Sequence, residues 1–286
     1  MANTLKNPFR YPGGKSARTD LIKQLVVDLK LDGKNIYEPF AGSAAVSIEL
    51  VASKICNRAV ISEKDPLIYS FWKSVFTNPA KLLKLIEKTP ITLKTWHKLR
   101  PLLDISASDP DMLTELAFAG LFFNRTNFSG VIHSGPIGGQ EQSSDYMIDC
   151  RFNRTELIAR IEALANHGHR FEVRNTDALT LLKSIKHAKT SLAYVDPPYF
   201  VQGRKLYRFH YALADHLKLA AVLKSFTAPW ILSYDKHDVI ENLYEEFHHA
   251  EEEFRYSSRM PKRENELLIT NLKARSKDEP LWSFSK

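Results

Sequence analysis

The chain has 286 residues, two cysteines and a formal net charge of +7, with 44% hydrophobic and 26% charged residues. That length is enough to bury a full core, as one large domain or one domain carrying an insertion, and the proportions are those of a soluble globular protein. Two cysteines exclude a disulfide framework and a cysteine zinc site, and no apolar run is long enough for a membrane span or a signal-peptide core, so a reducing cytoplasm is the expected compartment.

The positive charge favours an anionic partner, and nucleic acid is the commonest one. In chain order, the pattern predicts a helix over 16–29, a strand over 35–38, a helix over 43–53 and a second strand over 59–62. Between 77 and 166 the strand signal disappears, leaving helical stretches at 80–88 and 113–123 and a polar loop over 124–145. Strands return at 170–174, 191–195 and 230–233, and an antiparallel edge hairpin is expected from 253–257 and 267–270. Alternating strands and helices argue for a mostly parallel α/β sheet covered by helices on both faces. The gap in the sheet signal argues for a mainly helical insertion. The expected division is therefore 1–76, an inserted 77–166, and 167–286.

Asp196-Pro197-Pro198-Tyr199 carries the most chemistry. It follows the apolar 191–195 strand, and ligands of open α/β sheets bind beyond the carboxyl ends of their strands. Two prolines fix φ and carry no N–H, so they form a stiff rim with free carbonyl acceptors. Asp196 and the Pro197 carbonyl can accept hydrogens from an exocyclic amine while Tyr199 stacks on its ring. The plain alternative is a proline turn opened by Asp.

Three further segments fall at carboxyl ends of the predicted strands. Glu38-Pro39-Phe40-Ala41-Gly42-Ser43-Ala44 follows the first and offers a small-residue turn for close approach of a ligand to backbone and helix N-terminus. It lacks the Gly-x-Gly-x-x-Gly spacing of a dinucleotide site. Glu63 ends the second strand, where a carboxylate takes ribose hydroxyls; a surface acid is the alternative. Asp177 follows the third strand and has helix capping as its plain role. Near the start, Tyr11-Pro12-Gly13-Gly14-Lys15-Ser16 opens a helix but is not a phosphate loop: Phe9 stands where that motif needs glycine. Together these segments describe a pocket for an adenosine-like cofactor beside a base.

Arg10-Tyr11-Pro12-Gly13-Gly14-Lys15, Glu38 to Ala44, Phe123-Asn124-Arg125-Thr126-Asn127-Phe128-Ser129-Gly130 and Asp196-Pro197-Pro198-Tyr199 resemble, in kind and order, the Dam-type DNA adenine-N6 methyltransferases. The resemblance spans nearly the whole chain. It implies a Rossmann-like methyltransferase sheet, S-adenosyl-L-methionine as cofactor, and double-stranded DNA as partner, with target recognition in the insertion. By the same resemblance Tyr11, Gly13, Lys15, Glu38, Phe40, Gly42, Glu63, Asp177 and Asp196 bind the cofactor, while Asp196, Pro197, Pro198 and Tyr199 hold the target adenine. Ala44 stands where such families usually have a second glycine, and Glu63 where they often have Asp.

Arg125, Asn127, Ser129 and His133, with Gln140 and Gln142, are expected to contact DNA from the recognition loop; a solvated irregular loop is the alternative. Arg204 and Lys205, in the basic run ending at Arg208, are expected at phosphates, and Arg255, Arg259, Lys262 and Arg263 are further candidates. No metal is expected, His167, His169, His248 and His249 reading as surface. A cytosine-N4 or RNA-adenine methyltransferase, and a non-catalytic DNA-binding regulator, are the rival readings. A monomer is expected, and a companion restriction endonuclease is left open.

Overall fold

The computed structural model describes residues 5–10, 15–256 and 262–272. Along the chain run α1 (Lys15–Asp28), β1 (Asn35–Glu38), α2 (Ala45–Ala52), β2 (Ala59–Ser62), α3 (Pro66–Thr77), α4 (Ala80–Lys88), α5 (Leu93–Leu99), α6 (Leu113–Thr126) and α7 (Arg154–Ala165). Then follow β3 (Phe171–Arg174), α8 (Ala178–Ile185), β4 (Ser191–Val195), α9 (Gly203–Leu206), α10 (Leu213–Lys224), β5 (Trp230–Asp235), α11 (Asp238–Leu243), β6 (His248–Tyr256) and β7 (Lys262–Thr270).

The strands form one sheet in the order β3-β2-β1-β4-β5-β7-β6. β1 to β5 are parallel, while β7 pairs antiparallel with both β5 and β6. β1 lies between β2 and β4, so successive strands diverge to opposite sides there. In a doubly wound sheet this reversal opens a crevice at the carboxyl ends. The loops after β1 and β4 face each other across it.

β4 is buried along its whole length, as a central parallel strand should be. Its side chains alternate: Leu192 and Tyr194 join the apolar cluster of α1, α2 and α3, and Ala193 and Val195 join that of α8 and α10. Caps fix the helix starts that flank the crevice. Asp65 accepts the Leu67 N–H at 2.9 Å with Pro66 at the first helical position, and Asp177 accepts the Leu179 N–H at 3.0 Å.

α3 was not anticipated from the sequence, because its face is so apolar that only its cap marks a boundary. It packs along α6 so tightly that a Cβ on Gly120 would sit 2.8 Å from the Leu67 carbonyl oxygen. Leu82, Trp96, Phe122 and Ile161 from the inserted stretch share one apolar cluster with Ile61, Trp72 and Phe171. The insertion proposed for 77–166 thus has no separate core. The edge hairpin is longer than the sequence reading, since β6 starts at His248 and β7 at Lys262. No helix among the described residues is long and apolar enough to cross a membrane.

Candidate active site

β4 delivers Asp196 to the crevice, where the next residues form a braced loop. Ser233, on neighbouring β5, donates from Oγ to Asp196 Oδ1 at 2.9 Å. Arg18 of α1 brings its Nη1 to 3.3 Å from Oδ2 of the same carboxylate. Tyr199, buried, donates its hydroxyl to Glu266 Oε1 at 2.7 Å and accepts from Arg18 Nη2 at 2.9 Å. Asp235, at the end of β5, accepts the N–H groups of Phe200 and Val201 at 2.8 and 2.9 Å. Pro197 and Pro198 are buried between these anchors.

The loop after β1 forms the other lip. Gly42 and Ala44 both take positive φ, +46° and +49°. Ala44 in this left-handed region carries a steric cost that glycine lacks, which accounts for the glycine usual at its place in related motifs. Gly42 donates its N–H to Glu63 Oε2 at 2.9 Å, and its carbonyl accepts from Trp72 Nε1 at 2.8 Å. Glu63 Oε1 accepts the Asp65 N–H at 3.0 Å. Burial pushes the Glu63 carboxyl up to about 7, against the pull of those N–H donors.

Between the lips lies a cavity of about 580 Å³, within the range of small-molecule sites. Phe40, Gly42, Glu63, Asp177 and Leu179 line one part of it, and Asp196, Pro198 and Tyr199 another. Phe40 meets Tyr211 edge-on, ring centroids 5.5 Å apart, and Tyr207 to Tyr211 line the same cavity from the segment after α9. Arg208 fixes that segment. Its guanidinium pairs with Asp65 at 2.5 Å and donates to the carbonyls of Leu103 and Ile105.

The structure thus brings together Phe40, Gly42, Glu63, Asp177, Asp196, Pro198 and Tyr199. Glu38 does not line the cavity; it is buried, with Oε2 accepting the Ser47 N–H of α2 at 3.2 Å, and lies with Asp196 at a small adjoining hollow. Tyr11 and Gly13 lie outside the described residues, as does Arg259. Of Lys15, Arg255, Lys262 and Arg263, only the backbone is described.

The recognition loop requires a correction. Arg125 and Asn127, expected at DNA, both point inward. Arg125 donates to the Pro8 carbonyl, and burial together with the nearby charges of Arg160 and Arg10 pushes its guanidinium down to about 10. Asn127 is 0% exposed, accepting from Trp96 Nε1 and donating to the Ile132 carbonyl, both at 2.7 Å. For Arg125 the cause lies in segment 5–10, which packs across α6, where Asn124 also accepts the Arg10 N–H and donates to the Arg10 and Gly130 carbonyls; Asn127 is held instead by Trp96 of α5 and by its own loop. Gly130 has φ +77°, and a Cβ there would lie 2.9 Å from the Arg10 carbonyl oxygen. Asn124, Arg125 and Asn127 are therefore held inside the fold by bonds to the protein itself.

Its tip is accessible. Phe128 is 59% exposed beside exposed Ser129, and His133, also exposed, lines the cavity with Nε2 at 3.0 Å from the Lys205 carbonyl oxygen. Arg204 and Lys205 are exposed on α9. Sequence reasoning missed Arg18, Asp65, Asp235 and Glu266, and it placed Arg208 in a run expected at phosphates, whereas Arg208 is bonded to Asp65 and to the Leu103 and Ile105 carbonyls. Glu266 left one trace, a lone acid opening the apolar run Leu267-Leu268-Ile269. Arg18 left none.

A sheet reversing at β1 and β4, with a cofactor-sized cavity and an Asp-Pro-Pro-Tyr loop at that reversal, defines an α/β methyltransferase. The model of the D12 class N6 adenine-specific DNA methyltransferases matches residues 11–258, and the chain belongs to that family. No curated protein matches it in sequence. Solved structures resemble it distantly. One described as a candidate RNA methyltransferase from Pyrococcus horikoshii is 10% identical over 94% of this chain and 91% of that one, with a TM-score of 0.43. One described as a candidate methyltransferase from Escherichia coli is 11% identical over 93% and 90%, with a TM-score of 0.40. One described as a candidate methylase from Haemophilus influenzae is 12% identical over 89% and 99%, with a TM-score of 0.35.

Proposed function

We propose that this enzyme moves a methyl group from S-adenosyl-L-methionine to N6 of an adenine flipped out of duplex DNA. Family membership supports the adenine-specific DNA methyltransferase activity. The observation that carries the finer reading is the single cavity with Glu63 and Phe40 at one lip and Asp196 and Tyr199 at the other.

The residues present fit the cofactor. Glu63 can accept ribose hydroxyls, Phe40 and Leu179 offer apolar faces to the adenine ring, and Asp177 can accept from its exocyclic amine. When bound, S-adenosyl-L-methionine supplies an electrophilic methyl group. Asp196 and the Pro197 carbonyl accept the two N6 hydrogens of the target adenine, which leaves the nitrogen lone pair directed away from them. Tyr199 supports the ring, and base–aromatic stacking of about 1–3 kcal/mol offsets part of the few kcal/mol that flipping costs. Holding both reactants in line is the main source of rate.

For DNA, we assign contacts to the accessible residues Ser129, His133, Arg204 and Lys205, with Phe128 shaped as an apolar wedge against the base stack. Lys94, Lys98 and Arg100, exposed in and just after α5, add a basic face, joined to the recognition loop by the Trp96–Asn127 hydrogen bond. One chain carries both halves of the site, so the monomer, in the cytoplasm, is the proposed working unit, with or without a companion restriction endonuclease.

The test is incubation with unmethylated genomic DNA and S-adenosyl-L-methionine, followed by nucleoside mass spectrometry. N6-methyldeoxyadenosine is expected. N4-methyldeoxycytidine would move the target base, and no methylated nucleoside would favour the RNA-directed or non-catalytic readings. Asp196→Ala is expected to retain cofactor and DNA binding and to abolish transfer; transfer at the wild-type rate would refute the role of Asp196.

A further inference from the structure

We propose that Arg18 is a positioning residue for methyl transfer, holding Asp196 as a charged acceptor in fixed relation to Tyr199, with Glu266 as its counter-anion. The inference rests on the function proposed above and assigns to α1 a task in it.

The Arg18 side chain is 6% exposed and reaches from α1 to both ends of the Asp-Pro-Pro-Tyr loop. Nη1 faces the Asp196 carboxylate, 3.4 and 3.3 Å from its two oxygens. Nη2 donates to the Tyr199 hydroxyl at 2.9 Å and is ion-paired with Glu266. One rigid guanidinium therefore ties the acceptor that would take the N6 hydrogens to the ring that would stack on the base. Lysine, a point charge on a flexible stem, cannot span both ends in this way.

The distances to Asp196 exceed the 2.7–2.9 Å of a tight charge-assisted hydrogen bond, so Arg18 steers the carboxylate by charge and position more than by a short bond. The other polar groups around Asp196 do not replace it. Ser233 from β5 donates one neutral hydrogen bond, Tyr194 of β4 reaches that Ser233 at 3.2 Å, and Glu38 of β1 and Glu266 of β7 are acids. Without Arg18, no guanidinium would tie the Asp196 carboxylate to the Tyr199 hydroxyl.

The experiment measures single-turnover methyl transfer to DNA for the wild type, Arg18→Lys, Arg18→Met and Arg18→Met/Glu266→Gln, with S-adenosyl-L-methionine binding by calorimetry and DNA binding by titration. Arg18→Met is expected to keep both affinities and to transfer about 100-fold more slowly. Arg18→Lys should recover only part of that rate. The double variant removes both members of the buried pair and serves if Arg18→Met alone fails to fold; its rate should still lie far below the wild-type rate at unchanged affinities. A wild-type rate in either methionine variant, full recovery in Arg18→Lys, or a rate loss matched by lost cofactor or DNA affinity would overturn the assignment. An inactive wild type would overturn the proposed function and this inference together, whereas an active wild type with an unslowed variant would overturn this inference alone.

Discussion

Asn127→Ala separates a scaffold residue from a DNA contact. The wild-type side chain serves two buried partners at 2.7 Å, the Trp96 indole N–H and the Ile132 carbonyl. Each buried group left unpaired costs about 1–3 kcal/mol, and some relaxation of the loop brings the expected loss to about 2–4 kcal/mol. Chemical denaturation at pH 7 reads this as a lower midpoint with an unchanged slope. Asn127→Asp sharpens the argument. An ionised carboxylate keeps the Trp96 bond but sets an acceptor against the Ile132 carbonyl; the protonated acid restores a donor. The introduced carboxyl is therefore held protonated in the fold, its pKa raised above the unfolded value of about 4. The penalty is absent below that pH and widens as pH rises towards 7. A loss under about 0.5 kcal/mol in Asn127→Ala, combined with lost DNA affinity, would refute the scaffold role and return Asn127 to the DNA interface.

Four other outcomes follow from the site. Ionisation of Glu63, whose carboxyl burial pushes up to about 7, costs stability that is fully present below its unfolded pKa and lost as pH rises through 7; Glu63→Gln should remove that slope in a pH series of unfolding curves. Because the ionised form is the better acceptor for ribose hydroxyls, cofactor affinity by calorimetry should rise up to about tenfold from pH 6 to 8 in the wild type and stay flat in Glu63→Gln. Arg208→Ala leaves the buried Asp65 carboxylate uncompensated, costing about 3 kcal/mol, and should expose 203–211 to limited proteolysis while raising the KM for the cofactor. Ala44→Gly, at φ +49°, should be neutral to stabilising by up to about 1 kcal/mol in thermal melts, opposite to the usual sign of that substitution.

The sequence by itself determined the strands and their functional edge. Short apolar runs such as 191–195 report full burial, and the residues that follow them, Gly42, Glu63, Asp177 and Asp196, are polar or small because each parallel strand must end where a ligand or a turn begins. That logic is local, with each motif sitting beside its own strand. What the sequence hid was non-local. Arg18 and Glu266 stand 178 and 70 positions from Asp196 and meet it only because β7 pairs with β5 and α1 packs near β4. Arg125 and Asn127 read as polar groups in a polar loop; segment 5–10, laid across α6, turned Arg125 inward, and Trp96 of α5 did the same for Asn127. A one-dimensional pattern records which residues are polar. Only tertiary packing decides whether a buried polar group finds its partner in the protein, and so whether it is left to face a ligand.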